Sequence, residues 1–350
     1  MTKLSVLNLV PVRQGHSYQE TITEMKRLAQ RVEELGYHRY WIGEHHNTKL
    51  FACSSTPLLI QEALSATKTI RVGSGGIMLP NHNPYMLAEQ FGTLAALYPN
   101  RLDLGLGRAP GTDTETAQSL RRKTLDDEEH FKNDILELRS YLEGTNTVHA
   151  YPGEGQDIPF YILGSSTKSA LLAAQLGLPY VFAGHFAPQM MEEALSLYRL
   201  RFQPSKYLEQ PYAALGANVI MADTQKEADY LATTQTQAFV DIVTGQPRNL
   251  CPPVKDSETV WKNLSDSKHA PHFGPVAFSQ DTFISQEKKI VERISELTLI
   301  GDKKSVYSQL LALKMRVPID ELIVATYIYD ETAQHHSFEL LAELAKEKAI

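Results

Sequence analysis

The stretch GYHRYWIGEHHNTKL takes an apolar run, Tyr40 to Ile42, straight into a carboxylate and two imidazoles, Glu44, His45 and His46. A buried strand gains nothing from three ionisable groups at its end, so the pattern points to a site. His45 is the candidate proton donor or acceptor, because an imidazole titrates near neutral pH. Glu44 either orients it or satisfies a loop amide. His46 reads equally well as a hydrogen-bonded residue under a loop. Successive residues of an extended chain point to opposite sides, so His45 and His46 cannot easily share an ion. No HExxH or CxxC spacing suggests a metal centre elsewhere, and none is expected.

Other stretches add to this chemistry. In IRVGSGGIML, Gly73, Gly75 and Gly76 remove side chains from a strand, which serves either a bulge or the close approach of a flat group. In RLDLGLGRAPG the glycines are spaced GxGxxxG and Pro110 follows, which is not a dinucleotide-binding fingerprint. The guanidinium of Arg108, next to Gly107, instead suits a phosphate or carboxylate. In YILGSSTKSALLAAQLG, Ser165 and Ser166 lead directly into a helix, as a plain N-cap or as an anion site at a positive helix end. His185, just past PYVFAG, is a further candidate for the same mouth.

These residues need a frame that gathers them. Apolar strand runs alternate with helix-period segments along the chain, beginning with a strand over residues 4–12 and a helix over 18–35. Helices are expected over 57–67, 84–98, 124–143, 167–177, 188–202 and 224–243, each after a short apolar run. The rhythm breaks over 245–282, which carries Pro247, Pro252, Pro253, Pro271 and Pro275, and resumes in DELIVATYIYD with a last helix over 332–348. Eight strands, each followed by a helix, favour a closed (β/α)8 TIM barrel, one domain over 1–350 with an insertion before the last βα unit. In such barrels the C-terminal ends of the strands converge on one mouth, and the Glu44-His45-His46 stretch closes the second strand there. The 245–282 segment is far longer than an ordinary barrel connection and reads as a lid over that mouth.

Composition narrows the rest. The chain has 350 residues, 43% of them hydrophobic and 21% charged, enough for a large core. A net charge of -7, with no basic block longer than Arg121-Arg122-Lys123, argues against a nucleic-acid partner. Cys53 and Cys251 are the only cysteines, which suits a reducing compartment. The N-terminal MTKLSVLNLVPVRQG is too short in its apolar part for a signal core or a membrane span, so a cytoplasmic protein is expected.

The motifs WIGEHH, VGSGGIMLPNHNP, LAEQ, RLDLGLGRAPG and ILGSSTKSALLAAQLGLPYVFA together resemble the bacterial-luciferase-like flavin monooxygenases. The likeness runs from Leu4 to about Phe186 and returns in LTLIGDKKSV and DELIVATYIYD. The resemblance implies reduced FMN across the barrel mouth, supplied by a separate flavin reductase, and a monooxygenase acting with oxygen on a small organic substrate. It implies that His45 is catalytic with Glu44 beside it, and that Gly75-Gly76 forms a non-proline cis peptide under the flavin. Arg108, Ser165, Ser166 and Ser169 would hold the phosphate, with Gly107 and His185 also lining the cofactor site. Gly107 stands where luciferase carries its reactive cysteine, so the resemblance implies flavin binding but does not extend to light emission or to a long-chain aldehyde substrate. The same motifs fit two alternatives, a deazaflavin-dependent hydride-transfer enzyme and a non-catalytic flavin-binding accessory protein. Relatives pair through the helices expected at 57–67 and 84–98, whose broad apolar faces fit a homodimer.

Overall fold

A computed structural model describes residues 2–120, 128–267 and 280–348. Its strands are β1 (Lys3–Asn8), β2 (Arg39–Ile42), β3 (Arg71–Met78), β4 (Leu102–Gly107), β5 (Phe160–Gly164), β6 (Tyr180–Phe182), β7 (Ala213–Met221), β8 (Thr298–Gly301) and β9 (Glu321–Ala325). All pairings are parallel, and β1 to β7 close through β9 back onto β1 as an eight-stranded barrel. The expected (β/α)8 architecture is therefore present.

β8 is an extra strand. Asn218 of β7 pairs with Ala325 of β9 and with Thr298 of β8, so β8 lies on the edge of β7 that β6 leaves after Leu215. β1 is shorter than expected and ends at Asn8. The Asn8 side-chain oxygen accepts from the Val10 N–H at 2.7 Å, and Val10 adopts a φ of 52°, so a local turn ends the strand.

The helices form for ordinary local reasons. α1 (Tyr18–Leu35) starts in a capping box between Ser17 and Glu20, stops at Gly36 with φ 83°, and buries Met25, Leu28, Ala29 and Val32 on one face. α2 (Thr56–Ala66) and α3 (Pro84–Leu97) follow β2 and β3, and α4 (Thr114–Ser119) and α5 (Glu128–Leu142) follow β4. Residues 124–127 of the helix expected over 124–143 lie outside the described residues. α6 (Thr167–Leu176), α7 (Met191–Arg201) and α8 (Gln225–Val243) follow β5, β6 and β7. α9 (Ser257–Ser267) and α10 (Gln280–Ile294) pack with α8, and α11 (Lys303–Arg316) and α12 (Glu331–Lys348) complete the order. Among the described residues no helix is long and apolar enough to cross a membrane.

The segment expected to be a lid divides in two. Its first part is latched down: Leu250 exchanges backbone hydrogen bonds with Val12 and Gln14 at 2.7 and 2.9 Å, and Thr234 and Gln237 of α8 donate to the Cys251 and Pro252 carbonyls. Residues 268–279 lie outside the described residues.

At the N-terminal end of the barrel a buried ionic cluster fills the interior. Arg39 donates to Asp103 at 2.6 Å, to Glu321 at 2.8 Å and to the Tyr161 hydroxyl at 2.8 Å. Asp103 also accepts from Arg71 and from the Trp41 indole, and Glu321 accepts from Tyr212 and Ser5. Burial disfavours the Arg39 charge, but Asp103 and Glu321 outweigh it and raise its pKa. The cluster is a packed floor beneath the mouth, where barrels invest in stability.

Candidate active site

The C-terminal ends of the strands enclose a cavity of about 310 Å³. Its wall includes Glu44, His45, Gly75, Gly76, Gly107, Arg108, Ser165, Ser166, Ser169 and His185, so the residues singled out in the sequence, His46 and Gly73 excepted, border one space. Leu7, Trp41, Leu163, Val181 and Ile323 give it an apolar lining.

Glu44 and His45 diverge. Glu44 is 1% exposed, and its carboxylate accepts from His46 at 2.9 Å, His82 at 2.9 Å, Asn81 at 3.2 Å and the Met78 N–H at 3.0 Å. Burial opposes its charge, but the His46 and His82 hydrogen bonds prevail and hold its pKa down at about 2. Glu44 and His46, two residues apart, face each other, and His45 between them turns away to pack on Phe51 with ring centres 5.1 Å apart. Glu44 is thus bonded to the neighbouring loop, as a loop-amide role requires, and His45 is left to the cavity. Burial lowers the His45 pKa, opposed in part by the Gly111 carbonyl, so the ring is neutral at pH values above its ordinary 6.5.

Because the Glu44 pKa is depressed, its contribution to stability is complete above pH 4.5 and is lost as pH falls toward about 2. Glu44→Gln is expected to cost about 1.5–3 kcal/mol at neutral pH and to flatten the fall of Tm across that acid window. Parallel Tm curves for the two proteins would contradict this role.

The glycines of β3 serve the backbone first. The register between β3 and β4 shifts between Ser74 and Ile77, so a bulge is present, and the Gly75-Gly76 peptide is cis. A Cβ on Gly76 would sit 2.8 Å from the Gly105 carbonyl oxygen, and one on Gly75 would sit 2.7 Å from Leu7. Both surfaces therefore stay bare where they border the cavity.

Next to them, β4 and β5 deliver the polar end. Ser166 caps α6, and its hydroxyl accepts from the Ser169 N–H at 3.3 Å. The Ser169 hydroxyl donates to the Ser166 carbonyl at 2.8 Å and lies 3.0 Å from the Tyr180 hydroxyl, so it braces the turn. Glu128 Oε1 lies 3.3 Å from Lys168 Nζ and 3.7 Å from Arg108 Nη1, ion-pair contacts without an aligned hydrogen bond. Two cations, two hydroxyls and a helix N-terminus make a donor set for an anion. Sequence reasoning missed Lys168, although its place as the second residue of α6 was a usable signal. It also missed His82 and Asn81, which meet Glu44 only through the fold.

The profile of the luciferase-like monooxygenases matches residues 2–316. The chain belongs to that family. The chain is 41% identical to the Escherichia coli (strain K12) protein named luciferase-like monooxygenase, over 98% of this chain and 97% of the other. It is 23% identical to the flavin-dependent trigonelline monooxygenase, oxygenase component, of Acinetobacter baylyi, over 79% of this chain and 80% of the other. Among solved structures, apo-MsnO8 superposes with a TM-score of 0.84 at 29% identity, covering 99% of each chain.

Proposed function

We propose that this chain is the oxygenase of a two-component system that uses reduced FMN and dioxygen to oxygenate a small organic substrate. The observation that carries the reading is one cavity bordered both by an anion donor set and by bare backbone at Gly75-Gly76. A phosphate monoester fits the first and a flat ring fits the second. When bound, reduced FMN supplies the electrons that activate dioxygen for transfer of one oxygen atom, and the protein supplies orientation, proton control and a dry wall.

Arg108, Ser165, Ser166 and Lys168 hold the phosphate, with Ser169 bracing the cap. Glu128 lies between the two cations and must give way or rotate. His45 acts on protons at its ring nitrogen, and Glu44 is a positioning residue that ties the 44–46 turn to the loop at 78–82. The relative named as an oxygenase component supports a separate flavin reductase as partner. Reoxidation of reduced FMN by air, followed by visible absorbance, tests the reading. Stoichiometric protein is expected to change its course from that of free FMN, and an unchanged trace would contradict it.

The assembly proposed is a homodimer. Leu58 of α2 is 70% exposed, and Met86 and Leu97 of α3 are 50% and 61% exposed. Apolar side chains on adjacent helices gain from a partner. Sedimentation is expected to show a dimer that Leu58→Glu with Met86→Glu converts to monomer, and a monomeric parent at micromolar concentration would contradict it.

A further inference from the structure

His185 follows β6, which stands opposite β2 in the eight-stranded ring, so His185 and His45 approach the cavity from facing sides. Its backbone is anchored by Asn218, whose Nδ2 donates to the His185 carbonyl at 2.6 Å. Its ring packs edge-on against Phe186, with centres 4.9 Å apart. Nδ1 is sealed from solvent and has no hydrogen-bond partner among the described residues. What faces it is Gly216: a Cβ built there would lie 2.8 Å from Nδ1, so the Gly216 Cα–H in that direction points at this nitrogen.

That contact decides where the proton sits. A C–H pointing at a lone pair is a weak attraction, whereas a C–H pointing at an N–H sets hydrogen against hydrogen and leaves a donor buried without an acceptor. The neutral ring therefore carries its proton on Nε2, the other nitrogen of a ring that lines the cavity. We infer that His185 is a fixed, uncharged Nε2–H donor to a carbonyl oxygen bound in the cavity. The inference rests on the flavin reading above, and the carbonyl belongs either to the flavin ring or to the organic substrate. Burial, reinforced by the nearby His45, lowers the His185 pKa to about 4, in keeping with an uncharged ring at neutral pH. A neutral donor can polarise a carbonyl and fix its direction without adding a charge to an apolar wall. Gly216 is the residue that makes room for it.

Nitrogen NMR of the full chain labelled at histidine, with His185 assigned by its disappearance in His185→Gln, tests this. At neutral pH the His185 signals are expected to be those of the Nε2–H tautomer. An Nδ1–H tautomer or a charged ring would overturn the inference. FMN is then added, with binding followed independently by fluorescence. A shift of Nε2 on FMN addition assigns the donor to a flavin carbonyl, and His185→Leu should then weaken FMN by about tenfold while His185→Gln retains most affinity. A shift that comes only when cyclohexanone is added to the FMN complex assigns it to a substrate carbonyl. No shift with either, while FMN binds, overturns the donor and leaves the flavin reading standing. Failure of FMN to bind overturns the flavin reading, and the tautomer result still judges the proton's position.

Discussion

His45→Ala is expected to lower turnover by roughly 10²- to 10⁴-fold, the range for loss of a positioned proton-transfer group. FMN affinity should change little, because the phosphate site proposed at α6 is built from other residues. The assay is oxygenation of whichever organic compound the parent protein converts with reduced FMN from a reductase. The pH profile sharpens the test. Burial lowers the His45 pKa below 6.5, so its neutral form predominates at pH 7. The acid limb of kcat should therefore lie below 6.5 in the parent and be absent from the variant. Full activity in His45→Ala would remove His45 from the chemistry.

Arg39→Met is expected to destabilise the fold by about 3–5 kcal/mol. Arg39 is the shared partner of Asp103 and Glu321, both buried at the barrel floor. Removing it leaves Glu321 without a counter-charge and Asp103 with Arg71 alone, and the remaining hydroxyl donors cannot neutralise Glu321. Arg71 still pairs with Asp103 but reaches it from the strand end, and the structure shows no pairing of it with Glu321. Urea unfolding measures the effect. A loss below about 1 kcal/mol would mean that the floor is held by packing alone.

Much of this was legible in the sequence, for identifiable reasons. Strand and helix periods differ, so the barrel's alternation is written locally, and Glu44, His45, Arg108 and Ser166 each stand at a strand's C-terminal end. What was not legible depends on contacts distant in sequence. β8 is only four residues long and lies beyond the proline-rich 245–282 segment, and it becomes a strand because β7 outlasts β6 and offers it an edge. The short β1 follows from one Asn8 side chain bonding two residues ahead. Glu44 looked like a partner for His45, its neighbour in sequence. The fold instead brings His82 from 38 residues away, and no local pattern reports that. Ser169 stands in the right motif, but its hydroxyl is committed to Ser166 and Tyr180, a detail set by helix geometry.

The central claim is that the cavity at the barrel mouth is a flavin phosphate site. Anaerobic titration with reduced FMN, run in parallel on the parent chain and Arg108→Ala, tests it most directly. Loss of one charge-assisted contact costs about 1.5–3 kcal/mol, so the parent should bind one FMN per chain and the variant should bind at least about tenfold more weakly. Equal affinity in the two proteins, or no binding to the parent, would contradict the account.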